Sequence, residues 1–131
     1  MRVFVTKWFK RWARREKLEE EQLLGSVEEV EDGLIDTDLG GGLIKKRIAR
    51  RGQGKSGGYR TILAYRDGEK LFFLYGFPKS ARDNINAKEL EALKLTGGKL
   101  LDSSSSDLEL LIENDELDEL EYEQEEGVED V

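Results

Sequence analysis

Apolar residues along the chain follow two different periods. Val3, Phe4 and Val5 form a cluster of strand-forming residues and predict a first strand over Arg2 to Val5. Thr6 then predicts an N-cap, and Trp8 and Trp12 sit four residues apart with Phe9 beside them, the spacing of one helical face. Lys7, Lys10, Arg11, Arg14 and Arg15 take the other side. The plain reading is a core helix with a solvated basic face; the sharper one makes that face part of an anion-binding surface. Leu23, Val27, Val30 and Leu34 recur at helical spacing and predict a second helix from about Glu19 to Asp32. Glu19, Glu20 and Glu21 suit its first turn, and Gly33 is its stop. Two short helices with a tight link predict a helical hairpin laid on a sheet.

The period changes to two after Gly40-Gly41-Gly42. Residues Asp36 to Leu39 read as a loop, with Asp36 and Asp38 in cap or turn roles in preference to a metal pair. A strand over Leu43 to Ala49 puts Ile44 and Ile48 on one side and Lys45 and Arg47 on the other; Lys46 falls on the isoleucine side, where an edge position would let it snorkel. A loop, Arg50 to Gly58, leads to a strand over Tyr59 to Arg66 and a two-residue turn at Asp67-Gly68. The next strand, Glu69 to Gly76, is apolar almost throughout from Leu71 to Tyr75, which predicts a central position; Pro78 ends it. A polar connection, Lys79 to Asn86, carries Arg82. A helix from Ala87 to about Leu101 turns Leu90, Leu93 and Leu95 to the core, with Gly97-Gly98 weakening its last turn. Ser103 to Ser106 reads as a linker. Beyond it, Leu108, Leu111, Ile112, Leu117 and Leu120 leave two options, an acidic amphipathic helix or a disordered tail. The expected organisation is a domain over residues 1–101 and an acidic tail over 102–131.

Composition narrows the chemistry. The 131 residues include no cysteine and no histidine, so thiolate metal sites, disulfides and the commonest general base are excluded. No metal or cofactor is expected. No apolar run is long enough for a spanning helix, and the basic first residues lack the apolar core of a signal peptide, so the expected location is the cytoplasm. The net charge of -8 hides a division: all 21 Lys and Arg lie within residues 1–100 beside 15 acids, and the other 14 acids follow with no cation among them. The first hundred residues alone are basic, which suits a nucleic-acid partner.

Gly40 to Arg60 concentrates that charge. Lys45, Lys46, Arg47, Arg50, Arg51, Lys55 and Arg60 lie there with no acid and with seven of the 14 glycines. Such a patch suits phosphate. Arg51-Gly52-Gln53-Gly54-Lys55-Ser56 is not a nucleotide P-loop, because Ala49 stands where the first glycine is required and a strand, not a helix, follows.

Leu39-Gly40-Gly41-Gly42, Lys45-Lys46-Arg47-Ile48-Ala49, Gly54-Lys55-Ser56-Gly57-Gly58-Tyr59-Arg60 and Tyr75-Gly76-Phe77 with Lys79 together resemble a branch of the RelE/ParE toxins of type II toxin–antitoxin systems. Thr6-Lys7-Trp8-Phe9 is similar to the same branch. The resemblance covers about residues 2–100 and leaves the acidic tail outside it. It implies an α+β fold: a small twisted antiparallel sheet with an N-terminal helical hairpin and a short C-terminal helix. It also implies a toxin that cuts mRNA, often on the ribosome, or one that poisons DNA gyrase as ParE-like relatives do; a toxin-derived RNA-binding module is a third option. A cognate antitoxin, expected to be a helix-turn-helix protein, would neutralise it.

For RNA cleavage, a ribose 2′-OH attacks the adjacent phosphate, so a proton must leave and a phosphorane must be stabilised. Without histidine, lysine is the candidate base. Lys45, crowded by Lys46 and Arg47, fits that role. By resemblance Arg60 is the phosphate-clamping arginine, Lys45 and Arg47 the basic pair, and Arg82 or Lys79 stands for the arginine after the last strand. Lys46, Arg50, Arg51, Lys55, Tyr59 and Lys79 are the candidate RNA-binding residues, with Tyr59 or Tyr65 stacking on a base. RelE itself carries a tyrosine after that last arginine; here Asn84-Ile85-Asn86 stands in its place and Tyr122 lies far beyond, so the proton donor is unassigned.

Overall fold

The structure is a computed structural model that describes residues 1–50, 57–82 and 84–123. Its elements are β1 (Arg2–Thr6), α1 (Lys7–Arg15), α2 (Glu20–Glu31), β2 (Thr37–Gly40), β3 (Leu43–Ile48), β4 (Tyr59–Arg66), β5 (Lys70–Pro78), α3 (Ala87–Leu101), α4 (Ser105–Glu113) and β6 (Leu117–Leu120). The six strands form one sheet in the order β2-β3-β4-β5-β1-β6. Helices α1 and α2 cover one face with a core that includes Phe9, Trp12, Leu23, Val27, Val30, Ile44, Ile48 and Phe73. Helices α3 and α4 cover the other, over Phe4, Leu43, Ile62, Ala64, Phe72 and Leu74. The α+β class and the N-terminal helical hairpin are as expected. The sheet is mixed, because β1 runs parallel to β5, while the other paired strands are antiparallel.

Local rules explain most boundaries. The Phe9 amide donates to Thr6 Oγ1 at 3.2 Å, the cap that starts α1. Gln22 Oε1 accepts from the Glu19 amide to open α2, and Gly33 follows its end with φ +84°. Strand β5 is central and buried on both faces, with Leu71, Phe72 and Phe73 fully inside. Pro78 is its last residue, paired with Tyr59.

Several expectations change. Thr37 to Gly40 is an edge strand on β3, not a loop, with Gly40, Gly41 and Gly42 turning the hairpin at positive φ. The β4–β5 turn has three residues, since Arg66 pairs with Lys70 and Gly68 takes φ +75°. Leu34, Leu95 and Trp8 are exposed, at 58%, 64% and 42%. Gly97 does not weaken α3; it lets the helix approach the sheet, for a Cβ there would meet Leu43 Cδ1 at 2.8 Å.

The acidic end also differs, being neither disordered nor a single helix over residues 105–120. Ser104 caps α4, its Oγ accepting from the Asp107 amide at 3.1 Å. Then β6 adds to β1 antiparallel, Val3 opposite Leu120 and Thr6 opposite Leu117. Leu108 and Leu117 are in the core at 0% and 2% exposure. The charge of this segment is met by cations: Arg2 binds Glu109 at 3.1 Å and Glu119 at 2.8 Å, and Lys10 binds Asp118. The Arg2 guanidinium holds the Glu119 carboxyl below its ordinary pKa, and Glu119 raises that of Arg2.

Candidate nucleic-acid interface

The β3–β4–β5 register builds the site. Arg47 pairs with Arg60, and Arg60 with Phe77; one step along the face, Lys45 pairs with Ile62, and Ile62 with Tyr75. Two rows therefore run across the α3 face, Arg47–Arg60–Phe77 and Lys45–Ile62–Tyr75. Three of the expected catalytic side chains, Lys45, Arg47 and Arg60, share this surface. Two guanidiniums directly opposite each other repel, which costs stability unless an anion lies nearby. Asp36 supplies part of the compensation: its carboxylate accepts from the Arg47 amide and lies 3.4 Å from Arg47 Nε. Arg47 is exposed, while Arg60 is only 5% exposed.

A β-bulge puts the aromatics there. Leu63 pairs with Phe73 but Ile62 with Tyr75, so Leu74 is an extra residue. Phe73 faces α1, and strict alternation would send Tyr75 and Phe77 to that face too. The bulge shifts the alternation, so both join the rows on the α3 face. Gly76 then faces Trp12, where a Cβ would stand 2.3 Å from Trp12 Cζ3; only glycine fits. Thr6 Oγ1 lies 3.5 Å from the Leu74 carbonyl, tying the α1 cap to the bulge.

Arg82 lies over this surface but is held. It makes a two-pronged contact with Glu89 at 2.8 Å and donates to the Tyr75 hydroxyl at 2.7 Å. Its guanidinium sits 5.0 Å from the Phe77 ring centre and 5.6 Å from that of Tyr75. The hydrogen bonds from Arg82 hold Glu89 below the ordinary carboxylate pKa, and Glu89 raises that of Arg82. Glu89 Oε1 also accepts from the Asn86 amide at the start of α3, so the arginine is built into a helix cap.

Other expected RNA-binding residues lie elsewhere. Lys46 is 4% exposed on the α2 face, with Nζ 2.7 Å from Glu29 Oε1 and 2.8 Å from the Leu34 carbonyl. Strand β2 covers the edge at which Lys46 was expected to snorkel, so it is a buried structural cation. It also points away from Lys45, which leaves Arg47 as the neighbouring cation on the face of Lys45. Tyr59 is 2% exposed, edge-on to Trp12, its hydroxyl donating to the Glu16 carbonyl at 3.0 Å. Burial raises its pKa, and no base can reach its ring. Arg50 lies over that ring on the α1–α2 side, where it lines a cleft of about 590 Å³ with Arg14 and Lys17. Tyr65 also packs on the α1–α2 face; burial and a hydrogen bond to Asp67 push its hydroxyl up to about 12. Lys79 is exposed beside the site, its amide donating to the Gly58 carbonyl at 3.0 Å. Arg51 and Lys55 lie outside the described residues. Tyr122 donates to Glu31 on α2, far from the rows.

Sequence reasoning missed Trp8, Tyr75 and Phe77 as members of this surface. Trp8 stacks on Tyr75 with ring centres 4.5 Å apart. The signal was the apolar run Leu71 to Tyr75, whose bulge no pattern of alternation reveals. Among the described residues no group of three or more His, Cys, Asp or Glu is placed to hold a metal ion, and no helix is long and apolar enough to cross a membrane.

No curated protein matches the chain. The family model for the RelE toxin of the RelE/RelB toxin–antitoxin system matches residues 1–120, so α4 and β6 fall within the match as well as the basic part. That span is nearly the whole chain, and it agrees with the α+β fold described above. The chain belongs to the RelE family of toxins, whose partner is an antitoxin.

Proposed function

We propose that this toxin is an endoribonuclease acting on mRNA, and that the α3 face of β3–β5 carries the reaction. The observation that supports it most is the cross-strand pair Arg47–Arg60 with Lys45 two residues along the same face. The 2′-oxygen of a ribose attacks the adjacent phosphorus; its proton passes to the Lys45 amine. Arg47 and Arg60 stabilise the charge that builds on the phosphorane oxygens. The P–O5′ bond breaks, giving a 2′,3′-cyclic phosphate and, once protonated, a 5′-hydroxyl. Water serves as proton donor to O5′ in this scheme. No step uses a metal ion. The antitoxin, by this reading a helix-turn-helix protein, neutralises the toxin in the cytoplasm, where translating ribosomes supply the mRNA.

Primer extension on mRNA from cells expressing the toxin tests this. New 5′ ends are expected, and cleavage of purified mRNA should persist with EDTA. Lys45→Ala and Arg60→Lys should each lower cleavage by about 100-fold or more while the thermal unfolding curve is kept. Lysine at position 60 keeps charge in a buried position but loses the guanidinium fork. Growth arrest without new 5′ ends would move the target to gyrase or another protein.

A further inference from the structure

The Arg47–Arg60 row ends at Phe77, and the adjoining row ends at Tyr75, against which Trp8 stacks at 4.5 Å and 27°. Trp8 is the exposed member of this stack, 42% accessible at the first turn of α1. Its position has a structural cause. Strand β1 ends opposite Phe73, so the margin of β5 from Leu74 onward is lined by α1 instead of a strand. Tyr75 is fixed from two sides, by the indole and by the Arg82 guanidinium, whose fork is held by Glu89. With Tyr75 stacked on it and Trp12 parallel to it at 6.1 Å and 12°, the indole is a rigid aromatic plate whose exposed part stands one strand, β5, beyond Arg60. One strand spacing of about 4.8 Å plus the 4.5 Å stack puts the plate roughly 10 Å from the Arg60 position, the scale of one or two nucleotides along an extended single strand.

We propose that Trp8, supported by Tyr75, is the platform on which a nucleobase of single-stranded RNA stacks while the neighbouring phosphate is held by Arg47 and Arg60. The proposal rests on the reading of this face as an RNA-cleaving one. It assigns the stacking role to an aromatic outside the strands and removes it from Tyr59 and Tyr65, which face the other side of the sheet. Stacking recognises the flat face that every base possesses, so the platform orients the strand without choosing its sequence. Trp8 touches the substrate but supplies no proton or charge; it sets which phosphodiester lies over Lys45.

The test measures affinity of the full chain for a labelled single-stranded RNA, alongside cleavage of mRNA, for Trp8→Phe and Trp8→Leu. Leucine keeps apolar cover over Tyr75 but cannot stack, and unfolding curves confirm that both variants fold. Trp8→Leu should weaken binding by about 5- to 150-fold, and Trp8→Phe should recover most of it. An abasic site moved along the RNA should weaken native binding at one position and have no further effect at that position in Trp8→Leu. Equal affinity and cleavage in Trp8→Leu and native protein would overturn the platform while leaving the nuclease reading intact. If native protein neither binds nor cuts any RNA, both fall together. Loss of antitoxin binding in Trp8→Leu with RNA binding unchanged would overturn the inference in favour of a protein contact.

Discussion

Lys46 shows how a residue can be placed on its correct face and still be given the wrong partner. Alternation along Leu43 to Ile48 puts it with the isoleucines, and that is where it lies. What alternation cannot supply is the ion pair: Glu29 comes from a helix 17 positions earlier, and the Leu34 carbonyl from the link after it. Its ammonium therefore satisfies two groups on α2 and its exit, and offers nothing to a phosphate on the opposite face. Lys46→Met keeps the stem and removes the charge. Glu29 is one-third exposed and can hydrate, so the main loss is the bond to the Leu34 carbonyl and the anchoring of the α2 exit. Stability should fall by about 1–3 kcal/mol, read from urea unfolding. RNA affinity should be unchanged, whereas Arg47→Ala should lower it; a fall in RNA affinity with stability intact would return Lys46 to the interface.

At the scale of elements, what was legible depended on whether an element is specified by its own residues. Helices α1, α2 and α3 and strands β1, β3, β4 and β5 carry their own period, caps or turn glycines, and all were readable. Two elements are defined by their neighbours. Thr37 to Gly40 has too few apolar residues to declare a strand and becomes one by pairing with β3. Leu117 to Leu120 is half acidic, and it is a strand because β1 offers an open edge and Arg2 and Lys10 accept its charge. The amphipathic series was likewise extended too far at Leu34 and Leu95, where the helix has ended or faces solvent. That the acidic end is structural has a consequence. A chain stopped after Asp102 loses β6 and the buried Leu108 and Leu117, and uncovers Phe4. Each such leucine is worth about 2–5 kcal/mol, against about 5–15 kcal/mol for a whole domain. Circular dichroism should show no cooperative thermal transition for that truncation. A melt matching the full chain would make α4 and β6 appendages.

Among the described residues the cationic rows and the acids of α4 and β6 sit toward opposite ends of one sheet. The cationic rows lie on β3 and β4; β6 lies beyond β1, and Glu109, Asp118 and Glu119 of α4 and β6 are met by Arg2 and Lys10. From β4 to β6 is three strand spacings, roughly 14 Å. The screening length at physiological ionic strength is about 8 Å, so those acids should not mask the rows in a cell, although they would be felt at low salt. For the described part of the acidic end, up to Glu123, this favours a structural edge over a cover on the RNA site. With Lys45, Arg47 and Arg60 as the phosphate contacts, log affinity for single-stranded RNA should fall with log salt at a slope of about -2, and Arg47→Ala should reduce that slope by about 0.7. Replacing Glu113, Asp115 and Glu116, all exposed, with Gln, Asn and Gln should leave both the slope and the affinity at 0.15 M unchanged. A tighter affinity and a steeper slope in that variant would mean that the acids compete with RNA for the cations. The net charge of -8 would then describe an inhibited toxin, rather than a basic surface and an acidic edge held apart by the sheet.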